Sequence, residues 1–131
     1  EMGDGGIGRL EAITIDCADP IALARFWAAL FDTEIDSVND GDGPVYVDLR
    51  ATPDVPTLRF QRVPEPKVVK NRLHLDIEVA DLEEARARVE ALGGRRVSER
   101  FEEFGYRWVV MADPEGNELC LVTRVQEDRD A

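Results

Sequence analysis

The sequence predicts an α+β fold of two tandem β-α-β-β-β modules. Two observations carry this. The first is the stretch Leu73 to Gly94, LHLDIEVADLEEARARVEALGG, whose apolar period changes midway. Leu75, Ile77 and Val79 alternate with His74, Asp76 and Glu78, as side chains on opposite faces of a strand do. Beyond Asp81, the residues Leu82, Ala85, Val89 and Leu92 recur at helical spacing. The second observation is that the unit occurs twice. Ile13, Ile15 and Cys17 alternate in the same way, Ala18-Asp19 matches Ala80-Asp81, and Leu23, Trp27 and Leu30 stand where Ala85, Val89 and Leu92 stand. Every pair is 62 positions apart (13 to 75, 19 to 81, 30 to 92). Carried without a gap to Val125, this register sets Tyr46-Val47 against Trp108-Val109 and Arg62-Val63 against Arg124-Val125, a tandem duplication of about fifty residues.

Residues 1–8 contain four glycines and are expected to be a disordered leader. Strand one runs from Arg9 to Cys17. Asp19 can cap the first helix, with Pro20 at the first helical position, where a missing N–H costs nothing. Leu23, Phe26, Trp27, Leu30 and Phe31 give that helix a wide apolar stripe. Glu34 to Val38 is a short strand, and Asn39-Asp40-Gly41-Asp42-Gly43 is a turn cluster. Val45 to Arg50 and Thr57 to Val63 complete module one, residues 9–63. The linker, residues 64–72, begins Pro64-Glu65-Pro66-Lys67 and is extended by its prolines. Module two, residues 73–125, holds strand Leu73–Val79, helix Asp81–Leu92 and strands Arg95–Arg100, Tyr106–Met111 and Asn117–Val125. Its helix has Glu84 as capping-box partner to Asp81 and stops at Gly93-Gly94. Asp113-Pro114-Glu115-Gly116-Asn117 is a tight hairpin turn. The modules together make one domain, residues 9–125, and the charged tail 126–131 is expected to fray.

A length of 131 residues suits a single domain with a real core, and an apolar share of 44% is that of a globular protein. The net charge of −12 argues against nucleic acid and against anionic membrane surfaces. No apolar run is long enough to span a bilayer. Cys17 and Cys120 lack metal or redox spacing, which suits a reducing cytoplasm.

The doubled β-α-β-β-β unit, the ADPEGNELCLV stretch and the RLHLDIEV opening of the second half together resemble the vicinal-oxygen-chelate superfamily of glyoxalase I, bleomycin-resistance proteins and extradiol dioxygenases. The resemblance spans residues about 9 to 125 and looks most like the small bacterial glyoxalase-like domains. It implies that the strands curl into a partly open half-barrel with the helices outside, whose concave face holds a small molecule, and family members commonly dimerise.

Strand parity predicts what that face presents. If the helices cover Ile13, Ile15, Leu75 and Ile77, the other face carries Ala12, Thr14 and Asp16, then His74, Asp76 and Glu78. Tyr46, Asp48, Trp108 and Val110 join them, followed by Leu58 and Phe60 with Cys120 and Val122. The expected ligand-binding residues are therefore Tyr46, Asp48, Phe60, His74, Asp76, Trp108 and Cys120. An aromatic-walled hollow with a few polar groups is the usual composition of a ligand site.

The superfamily usually takes metal ligands from the first and last strand of each half, which implies Ala12, Leu58, His74 and Cys120 here. Alanine and leucine bind no cation, and Asp76 stands about 7 Å along the strand from His74 by the usual rise. With two ligands at most, against the three of a catalytic zinc, no metal centre and no cofactor are expected. His74 is either a proton donor or acceptor in a metal-free site or a remnant that contacts the ligand, and the second is preferred. The expected function is small-molecule binding. The alternatives are a lyase, isomerase or dioxygenase using an atypical metal site or His74 as acid–base, and antibiotic sequestration by an acidic protein. Phe26, Trp27 and Phe31 give helix one more apolar surface than Arg86, Arg88 and Glu90 give helix two, so a homodimer is expected.

Overall fold

The computed structural model describes residues 6–39 and 45–125. The start of the expected leader (1–5), most of the turn cluster (40–43) and the charged tail (126–131) lie outside the described residues. The chain forms two compact units, Glu1–Pro66 and Lys67–Ala131, each an open sheet with one helix. The fold is α+β: the first unit follows a β-α-β-β-β plan, and the second follows it with one added strand.

In the first unit, β1 (Ala12–Cys17), α1 (Pro20–Phe31), β2 (Ile35–Asn39), β3 (Tyr46–Leu49) and β4 (Thr57–Arg62) give the sheet order β1-β4-β3-β2. β1 and β4 run parallel and the other pairs antiparallel. The Asp19 side chain accepts a hydrogen bond from the Ala22 N–H, 3.2 Å, and Pro20 opens the helix. α1 packs on β3 and β4. Leu23, Phe26 and Trp27 are buried there, each buried large apolar side chain contributing on the order of 2 kcal/mol. Phe26 and Trp27 keep only 4% and 1% of their surface exposed, and Phe31, half-buried and stacked on Trp27, is what that aromatic stripe leaves at the surface. Of the aromatic surface that motivated the expected homodimer, Phe31 is the part that remains.

The second unit holds β5 (Leu75–Glu78), α2 (Leu82–Ala91), β6 (Arg95–Arg96), β7 (Phe101–Glu103), β8 (Tyr106–Ala112) and β9 (Glu118–Arg124). Its order, β5-β9-β8-β6 with β5 parallel to β9, repeats that of the first unit. Asp81 caps α2 by accepting from the Glu84 N–H, 3.0 Å. Gly94 permits a close approach, since a Cβ there would lie 2.8 Å from both the Ala112 carbonyl oxygen and Val89.

Two expectations are corrected. The strand predicted over Arg95–Arg100 is broken. Val97 and Ser98 both donate to the Val110 carbonyl (2.8 and 3.3 Å), and the Ser98 hydroxyl accepts from the Val110 N–H, 3.0 Å. That bulge ends β6 and starts β7, an additional strand paired with β8.

The second correction concerns register. β4 aligns with β9 at an offset of 61, not 62. Asp48 pairs with Arg59, eleven positions on, whereas the equivalent Val110 pairs with Cys120, ten positions on. The turn in the first unit is one residue longer. There Thr52 Oγ accepts from the Asp54 and Val55 N–H groups, 3.2 and 3.1 Å. The second unit instead has the tight Asp113 turn. Because side chains on a strand alternate, a slip of one residue exchanges the two faces of β4. Leu58 and Phe60 pair with Ile13 and Ile15, and both are buried (1% and 0% exposed). Phe60 is thus a core residue on the face of Val47, not a cavity residue, and Arg59 rather than Leu58 is the counterpart of Cys120.

Candidate functional site

The Asp113 turn sets the register of the site. Its carboxylate, 2% exposed, accepts from the Glu115 and Asn117 N–H groups (2.9 Å each) and from the Asn117 side-chain amide, 3.0 Å. Gly116 takes φ +91°, a conformation that suits a residue without Cβ. Cys120 therefore lies between Asp76 on β5 and Val110 on β8, and Val122 between Glu78 and Trp108. The next row joins Arg124, Tyr106 and Glu103 across β9, β8 and β7.

This face of the second unit's sheet forms a cavity of about 450 Å³ lined by residues from these rows, with His74 and Phe104 at its ends. The aromatic part is built by Trp108, its ring 5.4 Å from that of Phe101, and by Tyr106, with the Arg124 guanidinium 5.0 Å above it. The polar part holds His74, Asp76 and Cys120. His74 Nδ1 is 3.5 Å from Asp76 Oδ1, and one ligand atom from each of the three residues falls within 4.8 Å of the others. The distance along the strand is therefore a poor guide to how close the side-chain donors come. The segment before His74 is anchored on β9: Lys70 pairs with the Glu118 carboxylate, and Asn71 Oδ1 accepts from the Glu118 N–H, 3.2 Å. The Lys70 hydrogen bond holds Glu118 below the usual carboxylate range. Burial, reinforced by the charge of Asp76 and a hydrogen bond to it, pushes the Cys120 thiol up to about 11.

Of the expected binding residues, His74, Asp76, Trp108 and Cys120 line this one cavity. Tyr46 and Asp48 share a face of the first unit's sheet with Arg59, and Phe60 lies on the opposite face. Arg59 donates to both Asp48 oxygens (2.8 and 3.1 Å) and approaches Glu11 at 3.5 Å, which raises its pKa further. Glu103, Phe104, Tyr106 and Arg124 were not anticipated. Tyr106 shares the parity of Trp108 and was readable on that ground, while Glu103 and Phe104 required β7.

His74, Asp76 and Cys120 supply one nitrogen, one oxygen and one sulfur donor, a set that suits a borderline-soft ion such as zinc better than a hard one. The high thiol pKa means that binding must displace the Cys120 proton. The count of two ligands expected from the sequence thus becomes three.

Among the described residues no helix is long and apolar enough to cross a membrane. The glyoxalase-like domain model matches residues 12–122. No curated protein matches the sequence. Among solved structures, a glyoxalase/bleomycin resistance protein/dioxygenase family enzyme from Burkholderia phytofirmans PsJN is similar at 17% identity and TM-score 0.66, over 88% of this chain and 98% of that one. A glyoxalase family protein from Bacillus cereus matches at 16% identity and TM-score 0.70, over 96% and 100%. The genomically encoded fosfomycin resistance protein FosX from Listeria monocytogenes, complexed with Mn(II) and sulfate, matches at 15% and TM-score 0.71, also over 96% and 100%. The chain belongs to the glyoxalase-like domain family.

Proposed function

We propose that this glyoxalase-like protein binds a small organic molecule in the cavity of its second unit and needs no metal to do so. One observation carries the reading: a single sheet face joins an aromatic wall, Tyr106 and Trp108, to a polar end, His74, Asp76 and Cys120. The aromatic wall supplies apolar area, and the few polar groups orient the ligand. His74, with its side chain 45% exposed, is accessible for a proton transfer or a hydrogen bond to the ligand. Cys120 is a poor nucleophile in this setting, because its raised pKa leaves little thiolate. The test is a thermal-shift screen of small molecules, with affinities of the hits then measured on His74→Ala and Trp108→Phe. The expected result is hits weakened by both substitutions. Hits indifferent to both would place binding elsewhere and end the reading.

A second reading has its own observation, the convergence of the three donors. A zinc-class ion held by His74, Asp76 and Cys120 would supply Lewis acidity toward a ligand oxygen. The residues themselves would position that oxygen at the polar end of the cavity. One equivalent of zinc after reconstitution, lost in both His74→Ala and Asp76→Asn, would favour an enzyme. Zinc well below one equivalent would leave the binding protein.

A further inference from the structure

The hairpin between β7 and β8 turns on two residues, Phe104 and Gly105, with φ of +55° and +82°. Positive φ at both central residues is what a two-residue hairpin of this twist requires, and Asn-Gly or Asp-Gly is the usual choice. Gly105 fits that rule. Phe104 does not: positive φ is costly for a bulky side chain, and asparagine or glycine would hold the turn without the cost. Among the described residues the other non-glycine residue with positive φ, Asp32, ends α1 and belongs to a residue class that tolerates it.

Nor does the core repay Phe104. Its side chain is 88% exposed, yet it lines the cavity. The Val125 N–H donates to the Gly105 carbonyl, 2.8 Å, so the turn that carries Phe104 is tied to the end of β9 beside the cavity. A strained, exposed aromatic ring fixed beside a ligand cavity is explained by what it touches when the cavity is filled. Glu78 and Glu103 face the same cavity, and their carboxylates have no ion-pair partner among the described residues.

We infer that Phe104 is a ligand-contacting specificity residue: with Trp108 it selects a flat ring system, and Glu78 and Glu103, which with Asp76 outnumber the one arginine of the lining, Arg124 over Tyr106, select one bearing a protonated nitrogen. This rests on the binding reading above and names its ligand class. The flat ring stacks against the aromatic wall, and the positive charge is shared between ring faces and carboxylates.

The probes are proflavine, a flat cation at neutral pH, and acridine, its largely neutral analogue, titrated by fluorescence against the full chain. Proflavine is expected to bind more tightly than acridine, and Glu78→Gln to narrow that difference. Phe104→Asn is expected to raise the melting temperature by about 3 °C, through relief of strain. The same substitution should weaken both probes about three- to tenfold, while Phe104→Tyr keeps wild-type affinity. If Phe104→Asn leaves affinity unchanged while Glu78→Gln still weakens proflavine, the cavity stands and the role of Phe104 is overturned. Equal binding of the two probes overturns the charged class. If neither His74→Ala nor Trp108→Phe changes proflavine binding, the binding reading fails and takes this inference with it.

Discussion

The two units carry the same strand order but opposite chemistry at equivalent places. The second unit sets His74, Asp76 and Cys120 on the face away from α2, where they converge beside a cavity. The first has Ala12 where the second has His74, and Arg59 where the second has Cys120. Arg59 is held by both oxygens of Asp48, so the corresponding face of the first sheet is closed by an ion pair. One architecture thus serves two ends. A bidentate arginine–carboxylate pair is self-satisfied and has little left to offer a ligand. A histidine, a carboxylate and a thiol together retain capacity for a proton, a ligand or a cation.

The sharpest way to break the comparison is at the turns that set its register. Asp113→Ala removes a buried carboxylate that accepts three N–H groups, and should cost about 2–4 kcal/mol in urea unfolding. Thr52→Ala, at the corresponding turn of the first unit, removes exposed or half-buried bonds only and should cost about 1 kcal/mol. Equal costs would show that the two turns do not differ in the way that moves Arg59 and Cys120 into equivalent places.

Next in size is the ion pair. Arg59→Ala leaves Asp48 half-buried without its partner and should cost about 1–2 kcal/mol, with side-chain exposures of 26% and 22% leaving part of the pair to solvent. The double variant with Asp48→Ala should recover some of that loss. A double variant no better than the single one would mean that the pair is an accessory to packing rather than the device that closes the face.

How much of this was legible depends on the level. Period alone located both helices, because Asp19 and Asp81 cap them and Leu23, Trp27, Leu82 and Val89 carry their apolar faces. That the two sheets share one strand order followed from the repeat, while the order itself, with the first and last strands paired in parallel, did not. The face of β4 did not, since one extra residue between Leu49 and Thr57 is invisible in an ungapped register and reverses every side chain after it. Phe60 was lost from the site for that reason, and Arg59 was gained as a counterpart. β7 was missed because the bulge at Val97 and Ser98 is made by hydrogen bonds to Val110, which no local pattern announces. The union of Asp76 with His74 is a matter of where the side-chain donors end, 3.5 Å apart, which strand rise does not give.

A smaller effect separates the units by pH. Lys70 lowers the pKa of Glu118, whereas the aligned residue of the first unit, Thr57, does not titrate. A carboxylate held below its unfolded value contributes stability above that unfolded value and loses it as pH falls through the lowered one. Acid should therefore weaken the anchor before His74 first, and Lys70→Gln should flatten that part of the stability–pH curve. An unchanged curve would remove Lys70–Glu118 as the group that positions His74.

The smallest effect concerns the Cys120 thiol itself. Burial is the main cause of its raised pKa of about 11, and Asp76 the second. Alkylation of Cys120 by iodoacetamide, followed by peptide mass spectrometry so that Cys17 is counted separately, should rise steadily with pH and not level off near 9, the ordinary thiol value. Asp76→Asn removes the nearby negative charge and should bring the midpoint down by less than the burial contribution, since burial is unchanged. Saturating zinc should act in the opposite sense on labelling if the three donors hold the ion, because a coordinated thiolate is shielded from the reagent even though its proton is gone. A midpoint near 9 in the wild-type protein would mean that Cys120 is neither buried against Asp76 nor different in kind from an exposed thiol, and the polar end of the second unit would lose the feature that most separates it from the first.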